Sequence, residues 1–100
     1  MSLKPYQEAV AAWHVKTFGH PPTAAIGLKL GEEAGELMKA VNRMEHLDEI
    51  TLAHHDNLAE ELGDVAIVLM MLATRYNFDF QELVEHRVHV VTTRPRKGDV

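Results

Sequence analysis

Cysteine is absent from this 100-residue chain, which excludes a disulfide framework and any zinc site built on thiolates. Long apolar runs are missing too. The longest, Val65 to Ala73, has nine residues, where a membrane helix needs roughly 20. The opening MSLKPYQEAV lacks the apolar core of a signal peptide, so a cytoplasmic location with no membrane contact is expected. No glycine-rich phosphate loop and no nucleophile elbow occur, so covalent catalysis has no visible candidate. Positive charge is also scarce: the net charge of −5 argues against binding a nucleic-acid polymer through its backbone.

The residues present describe one small domain over 1–100. Apolar residues make up 46% and charged ones 25%, enough for a single hydrophobic core. The acids are concentrated. Ten lie between Glu32 and Asp64, against two cations, Lys39 and Arg43. The balance then reverses towards Arg75, Arg87, Arg94, Arg96 and Lys97. A solvated acidic face is the simple account of such a bias; a place that gathers metal ions and a polyanion is the other.

Periodicity and punctuation predict an all-α bundle of four helices. Pro5 suits a first helical turn, and Gly19-His20-Pro21-Pro22 stops the helix near Phe18. Thr23 is the expected cap of a second helix running to about Arg43. Met44 to His55 reads as a polar loop. Asn57 and Glu60 form a capping-box pattern opening a third helix, which breaks at Tyr76-Asn77; Asp79 and Glu82 repeat the pattern for a fourth. That helix fades around Thr92 to Pro95, and Val88 to Thr93 is the one stretch with any strand character. The third helix is apolar nearly all round from Val65 to Ala73. Four short helices rarely cover such a segment, so completion by oligomerisation is expected.

Two segments repeat each other. Glu32-Glu33-Ala34-Gly35-Glu36 and Glu60-Glu61-Leu62-Gly63-Asp64 match at their acidic and glycine positions, 28 residues apart. In each, acids three residues apart lie about 60° from one another on a helical face. Glu33 falls in the apolar stripe Ile26, Leu30, Leu37, Val41, and Glu61 lines up with Val65, Val68 and Leu72. Glycine precedes the second acid in both copies, which suggests close approach of a backbone or ligand. Inward carboxylates in such number must be wet, protonated, paired or holding a metal. Inward cations are few here, and an oxygen-only cluster suits Mg²⁺, or Mn²⁺. A di-iron site of the ferritin kind needs Glu-x-x-His, which does not occur, and all the histidines read as solvated surface residues. Metal-bridged phosphates and phosphoryl transfer to water are the natural chemistry of such a cluster.

Lys29-Leu-Gly-Glu-Glu-Ala-Gly-Glu-Leu-Met-Lys-Ala-Val41, followed by Glu60-Glu-Leu-Gly-Asp-Val65, resembles the MazG-like family of all-α nucleoside triphosphate pyrophosphohydrolases. The ends, Tyr6-Gln7, Trp13, Phe18-Gly19 and Thr93-Arg94-Pro95-Arg96-Lys97, are also similar to its small members. The resemblance implies a Mg²⁺-dependent cut of (d)NTPs between the α and β phosphates, giving (d)NMP and pyrophosphate, as nucleotide-pool housecleaning. It also implies a homodimer or tetramer with pockets near the subunit boundary. It assigns Glu33, Glu36, Glu61 and Asp64 to the metal, and Glu32 or a neighbouring acid to the attacking water. Lys39 is either a phosphate contact or a solvated lysine; Arg94 and Arg96 match the family's basic tail, where a phosphate contact is plausible. Trp13 either stacks on a base or packs in the core. Two alternatives remain. Phosphoribosyl-ATP pyrophosphohydrolase of histidine biosynthesis has a similar Lys-x-Gly-Glu-Glu start, but its Tyr-His pair after the second motif is missing from Asp64-Val-Ala-Ile-Val-Leu69. The other alternative is a non-catalytic helical dimer that binds metal or nucleotide.

Overall fold

Helix α1 (Lys4–Phe18) opens a computed structural model that describes residues 1–95. Pro5 sits in its first turn, where a missing N–H leaves no bond unmade. It ends at Gly19, whose φ of 72° lies in the left-handed region that glycine enters without a Cβ clash. Helix α2 (Thr23–His46) starts directly after Pro22. Thr23 is not its cap, contrary to expectation. It is already helical, because the extended Pro22 (φ −55°, ψ 144°) ends the loop one residue earlier, and no side chain caps this end.

The largest departure from the sequence reading is the α2–α3 junction. Helix α2 continues past Arg43 to His46, and α3 (Leu52–Arg75) begins well before Asn57. The loop expected over Met44 to His55 shrinks to 47–51. Its far end is fixed by a capping box: the Thr51 hydroxyl accepts from the His54 N–H at 3.3 Å, and His54 Nδ1 accepts from the Thr51 N–H at 3.1 Å. An imidazole thus does what glutamate usually does. His54 is therefore a cap partner, not a solvated loop histidine. Asn57, inside the helix, accepts from Arg43 Nη1 at 3.2 Å and ties α3 to α2.

Helix α3 ends where Asn77 takes φ 60°, a conformation asparagine tolerates better than most residues. Helix α4 (Phe80–Thr93) follows, its N-terminus capped by the Asp79 carboxylate accepting from the Glu82 N–H at 3.1 Å. Val88 to Thr93 is helical, and no strand occurs among the described residues.

Helices α2 and α3 form the principal packed pair, with α1 against α3 and α4 touching α3 and α1. Ile26, Val68 and Met71 are the buried centre, flanked by Val10, Leu30 and Leu72. Gln7 is buried as a polar pin: its amide donates to Thr74 Oγ1 (3.1 Å) and the Phe78 carbonyl (2.9 Å), and its carbonyl accepts from the Phe80 N–H (2.8 Å). The core is thin. On α3, Leu62 is 55% exposed and Leu69 37%, so this chain alone does not cover its most apolar helix.

Candidate functional site

The 28-residue repeat acquires meaning from the pairing of α2 with α3. It sets Glu33 of the first copy opposite Glu61 and Asp64 of the second. One carboxylate oxygen from each of the three lies within 4.8 Å of the others. Glu33 and Glu61 are half-buried and Asp64 is exposed. The inward stripe position of Glu33 is visible in its side-chain exposure, 15% against 65% for neighbouring Glu32.

Crowding acts on the proton affinity of Glu61. Desolvation raises its pKa above the ordinary 4.5, and the negative charges of Asp64, Glu33, Glu36 and Glu60 raise it further. Among the described residues a single cation meets the trio. Lys29 Nζ is 3.2 Å from Glu33 and 3.5 Å from Glu32. Its pKa is raised, first by the hydrogen bond to Glu33 and then by the charge of Glu32. Lys29 is absent from the site residues expected from the sequence; its place one turn before Glu33 is the available signal, since residues four apart meet on a helix. One lysine does not neutralise three carboxylates. The donor set is hard oxygen with no sulfur or imidazole, and its spacing fits a divalent ion such as Mg²⁺ or Mn²⁺ that keeps part of its water shell.

Glu36, the fourth expected ligand, stands apart from the trio. Its carboxylate is 3.6 Å from Lys39, and both side chains are well exposed, at 49% and 71%. Its charge nevertheless reaches Glu61. Arg94 is exposed just beyond α4, and Arg96 lies outside the described residues. Added Cβ atoms at Gly35 and Gly63 would meet nothing within 4 Å. The close approach expected at these glycines is therefore not made by any described part of this chain; the space beside the acids is open.

Glu33, Asp64 and Lys29 form the polar end of a cleft of about 530 Å³ between α1, α2 and α3, a size that suits a small-molecule ligand. The other end is aromatic. Trp13 and Phe18 meet edge to face, with ring centroids 5.6 Å apart and planes at 88°. Trp13 is 49% exposed, so it is a wall of the cleft rather than a core residue. His14 forms part of the same wall and is buried, which corrects the reading of every histidine as solvated. Among the described residues neither of its ring nitrogens has a hydrogen-bond partner, and Arg75 nearby leaves Nη2 unpartnered as well. Burial lowers the His14 pKa below 6.5, with Arg75 and His20 adding to the shift, so the ring is held neutral. An unpaired buried polar group costs about 1–3 kcal/mol.

The family model of the MazG nucleotide pyrophosphohydrolase domain matches residues 23–97. The match takes in both acidic motifs and leaves α1 outside it. No curated protein and no solved structure matches the chain.

Proposed function

The chain belongs to the MazG nucleotide pyrophosphohydrolase family, and from that membership we propose that it hydrolyses nucleoside triphosphates between the α and β phosphates, releasing a monophosphate and pyrophosphate. The observation that carries this reading is the meeting of Glu33, Glu61 and Asp64 within 4.8 Å at one end of a cleft whose other end is aromatic. Phosphates belong at the charged end and a planar base at the aromatic one.

Glu33, Glu61 and Asp64 would hold Mg²⁺, or Mn²⁺, with Glu36 as a fourth carboxylate one turn on from Glu33. The ion would supply charge neutralisation to the triphosphate and Lewis acidity at the attacked phosphorus. Lys29 lines the cleft and would contact a phosphate oxygen, exchanging its ion pair with Glu33 for one with the substrate. Glu32 reaches the trio's surroundings through Lys29, 3.5 Å from it, and is proposed to orient the attacking water and accept its proton. Trp13 would stack on the base. Lys39, Arg94 and Arg96 are proposed as outlying phosphate contacts. Exposed apolar side chains and the open space at Gly35 and Gly63 support a working homodimer or tetramer. Free (d)NTPs of the cytoplasm, with housecleaning of the nucleotide pool as the purpose, are the proposed substrates.

The test is a product assay with Mg²⁺ over ordinary and modified (d)NTPs and phosphoribosyl-ATP, separating pyrophosphate from orthophosphate. Monophosphate plus pyrophosphate is expected from at least one (d)NTP. Preference for phosphoribosyl-ATP would move the assignment to histidine biosynthesis. Orthophosphate alone would show that a different bond is cut. No product from folded, Mg²⁺-binding protein would favour a binding module.

A further inference from the structure

We propose that His14 is a specificity-determining residue that reads the polar edge of the nucleobase at the aromatic end of the cleft. The proposal rests on the nucleotide reading above and goes beyond it, because α1 lies outside the matched residues 23–97.

Buried polar groups in folded proteins nearly always have a partner, so one that has none calls for an explanation. His14 is 7% exposed, and neither Nδ1 nor Nε2 has a partner among the described residues. It also lines the cleft, beside Trp13 and Phe18, the rings that would hold a base. Its centroid is 5.4 Å from Phe18 and 6.4 Å from Trp13. The charged side chains of the cleft, Lys29, Glu33 and Asp64, belong to its other end. Apart from the Trp13 indole N–H, the imidazole is the polar side chain available where a base would sit.

Chemistry narrows what it can recognise. A neutral imidazole offers one donor and one acceptor. A nucleobase edge carrying a carbonyl or ring nitrogen beside an amino or imino N–H provides the complements; a sugar hydroxyl or phosphate does not need a flat slot between aromatic rings. Both nitrogens are shut from water, so a neighbouring side chain must move before a base reaches them. Phe18 is the neighbour that this step would move: its ring centroid is 5.4 Å from the imidazole, and it is the last residue of α1 and 59% exposed. Binding then satisfies nitrogens that the unliganded chain leaves unpaired. A base lacking the matching group leaves them unpaired still, and sites of that design discriminate strongly.

The test compares wild type with His14→Leu, which removes both polar atoms, and His14→Asn, which keeps a donor and an acceptor. Each is assayed with Mg²⁺ over (d)NTPs bearing the different bases. His14→Leu is expected to flatten the ranking of kcat/KM between best and worst base by at least tenfold. The loss should appear chiefly as a raised KM for the favoured base, with Mg²⁺ affinity unchanged; His14→Asn should retain part of the ranking. A folded His14→Leu protein with the wild-type ranking, or a wild type that ranks no base above another, overturns the proposal. Should neither variant fold, ¹⁵N shifts of the wild-type imidazole decide: they should move on adding the favoured nucleotide and not with pyrophosphate, and no movement overturns the proposal. If wild type hydrolyses no triphosphate, the hydrolase reading fails by itself. Titrating Trp13 fluorescence with nucleoside monophosphates then tests His14 alone: base-dependent quenching lost in His14→Leu supports its role, and quenching without base dependence, or none, overturns it.

Discussion

Glu61 is where charge and solvation conflict most openly. Its raised pKa means that the native chain binds this proton more tightly than the unfolded chain does. The sign follows. Stability without metal falls as pH rises from about 4.5 through the raised value, and the penalty is complete above it. A divalent cation should remove it. Thermal melts with and without Mg²⁺ are therefore expected to differ more at neutral pH than near pH 4.5. Glu61→Gln should raise the metal-free melting temperature at neutral pH while lowering turnover. We expect Glu61→Gln or Asp64→Asn to lose about 10²-fold or more in kcat/KM, the size of several kcal/mol of charge stabilisation. Glu36→Gln separates two metal sets, because Glu36 rests on Lys39 and not on the trio. A weaker Mg²⁺ dependence would place it among the ligands, and an unchanged one would confine the set to Glu33, Glu61 and Asp64.

At the scale of elements, the α2–α3 hairpin carries the site, and its register depends on short-range devices. Thr51 and His54 begin α3 through a reciprocal cap. Thr51→Ala is expected to cost about 1 kcal/mol, read from chemical denaturation. Gly35 and Gly63 pose a sharper question. Each lies inside a helix with open space where a Cβ would go, so alanine should stabilise its helix by about 1 kcal/mol if nothing else ever occupies that space. If substrate or a second subunit comes there, the same change lowers activity while the isolated helix gains. We expect the second outcome for Gly63→Ala, in paired melting and turnover assays. Higher stability with intact turnover would show that the space serves neither.

The whole molecule is more open than its length warrants. Its radius of gyration is 16.6 Å, against about 13 Å for an ordinary 100-residue domain. No side chain among the described residues is fully buried, and Leu62 and Leu69, seven residues apart on α3, remain exposed. Such a surface stabilises association far better than it stabilises a monomer. Sedimentation of the purified chain should give a dimer or tetramer, and Leu69→Lys should shift it towards monomer and lower its melting temperature. A wild type that sediments as a monomer at micromolar concentration would refute this. Met71→Ala, in so thin a core, is expected to cost about 2–5 kcal/mol, a large share of total stability.

Four helices, the stop of α1, the break after α3 and the cap of α4 are all legible in the amino-acid pattern. The same pattern places Glu33 and Glu61 on core-facing stripes. These features depend on local chemistry: proline and glycine conformations, an aspartate beside a free N–H, and the helical period. The α2–α3 loop is shorter than its polar sequence predicts because the decisive cap partner is a histidine, outside the usual glutamate pattern. The rest depended on what lies opposite, which period alone does not specify. Only the packing of α2 on α3 decided that Glu33 meets Glu61 and Asp64 while Glu36 turns to Lys39. Only the placement of α1 made Trp13 a cleft wall and buried His14 without partners. Burial and proximity belong to pairs of helices, and a one-dimensional pattern describes one helix at a time.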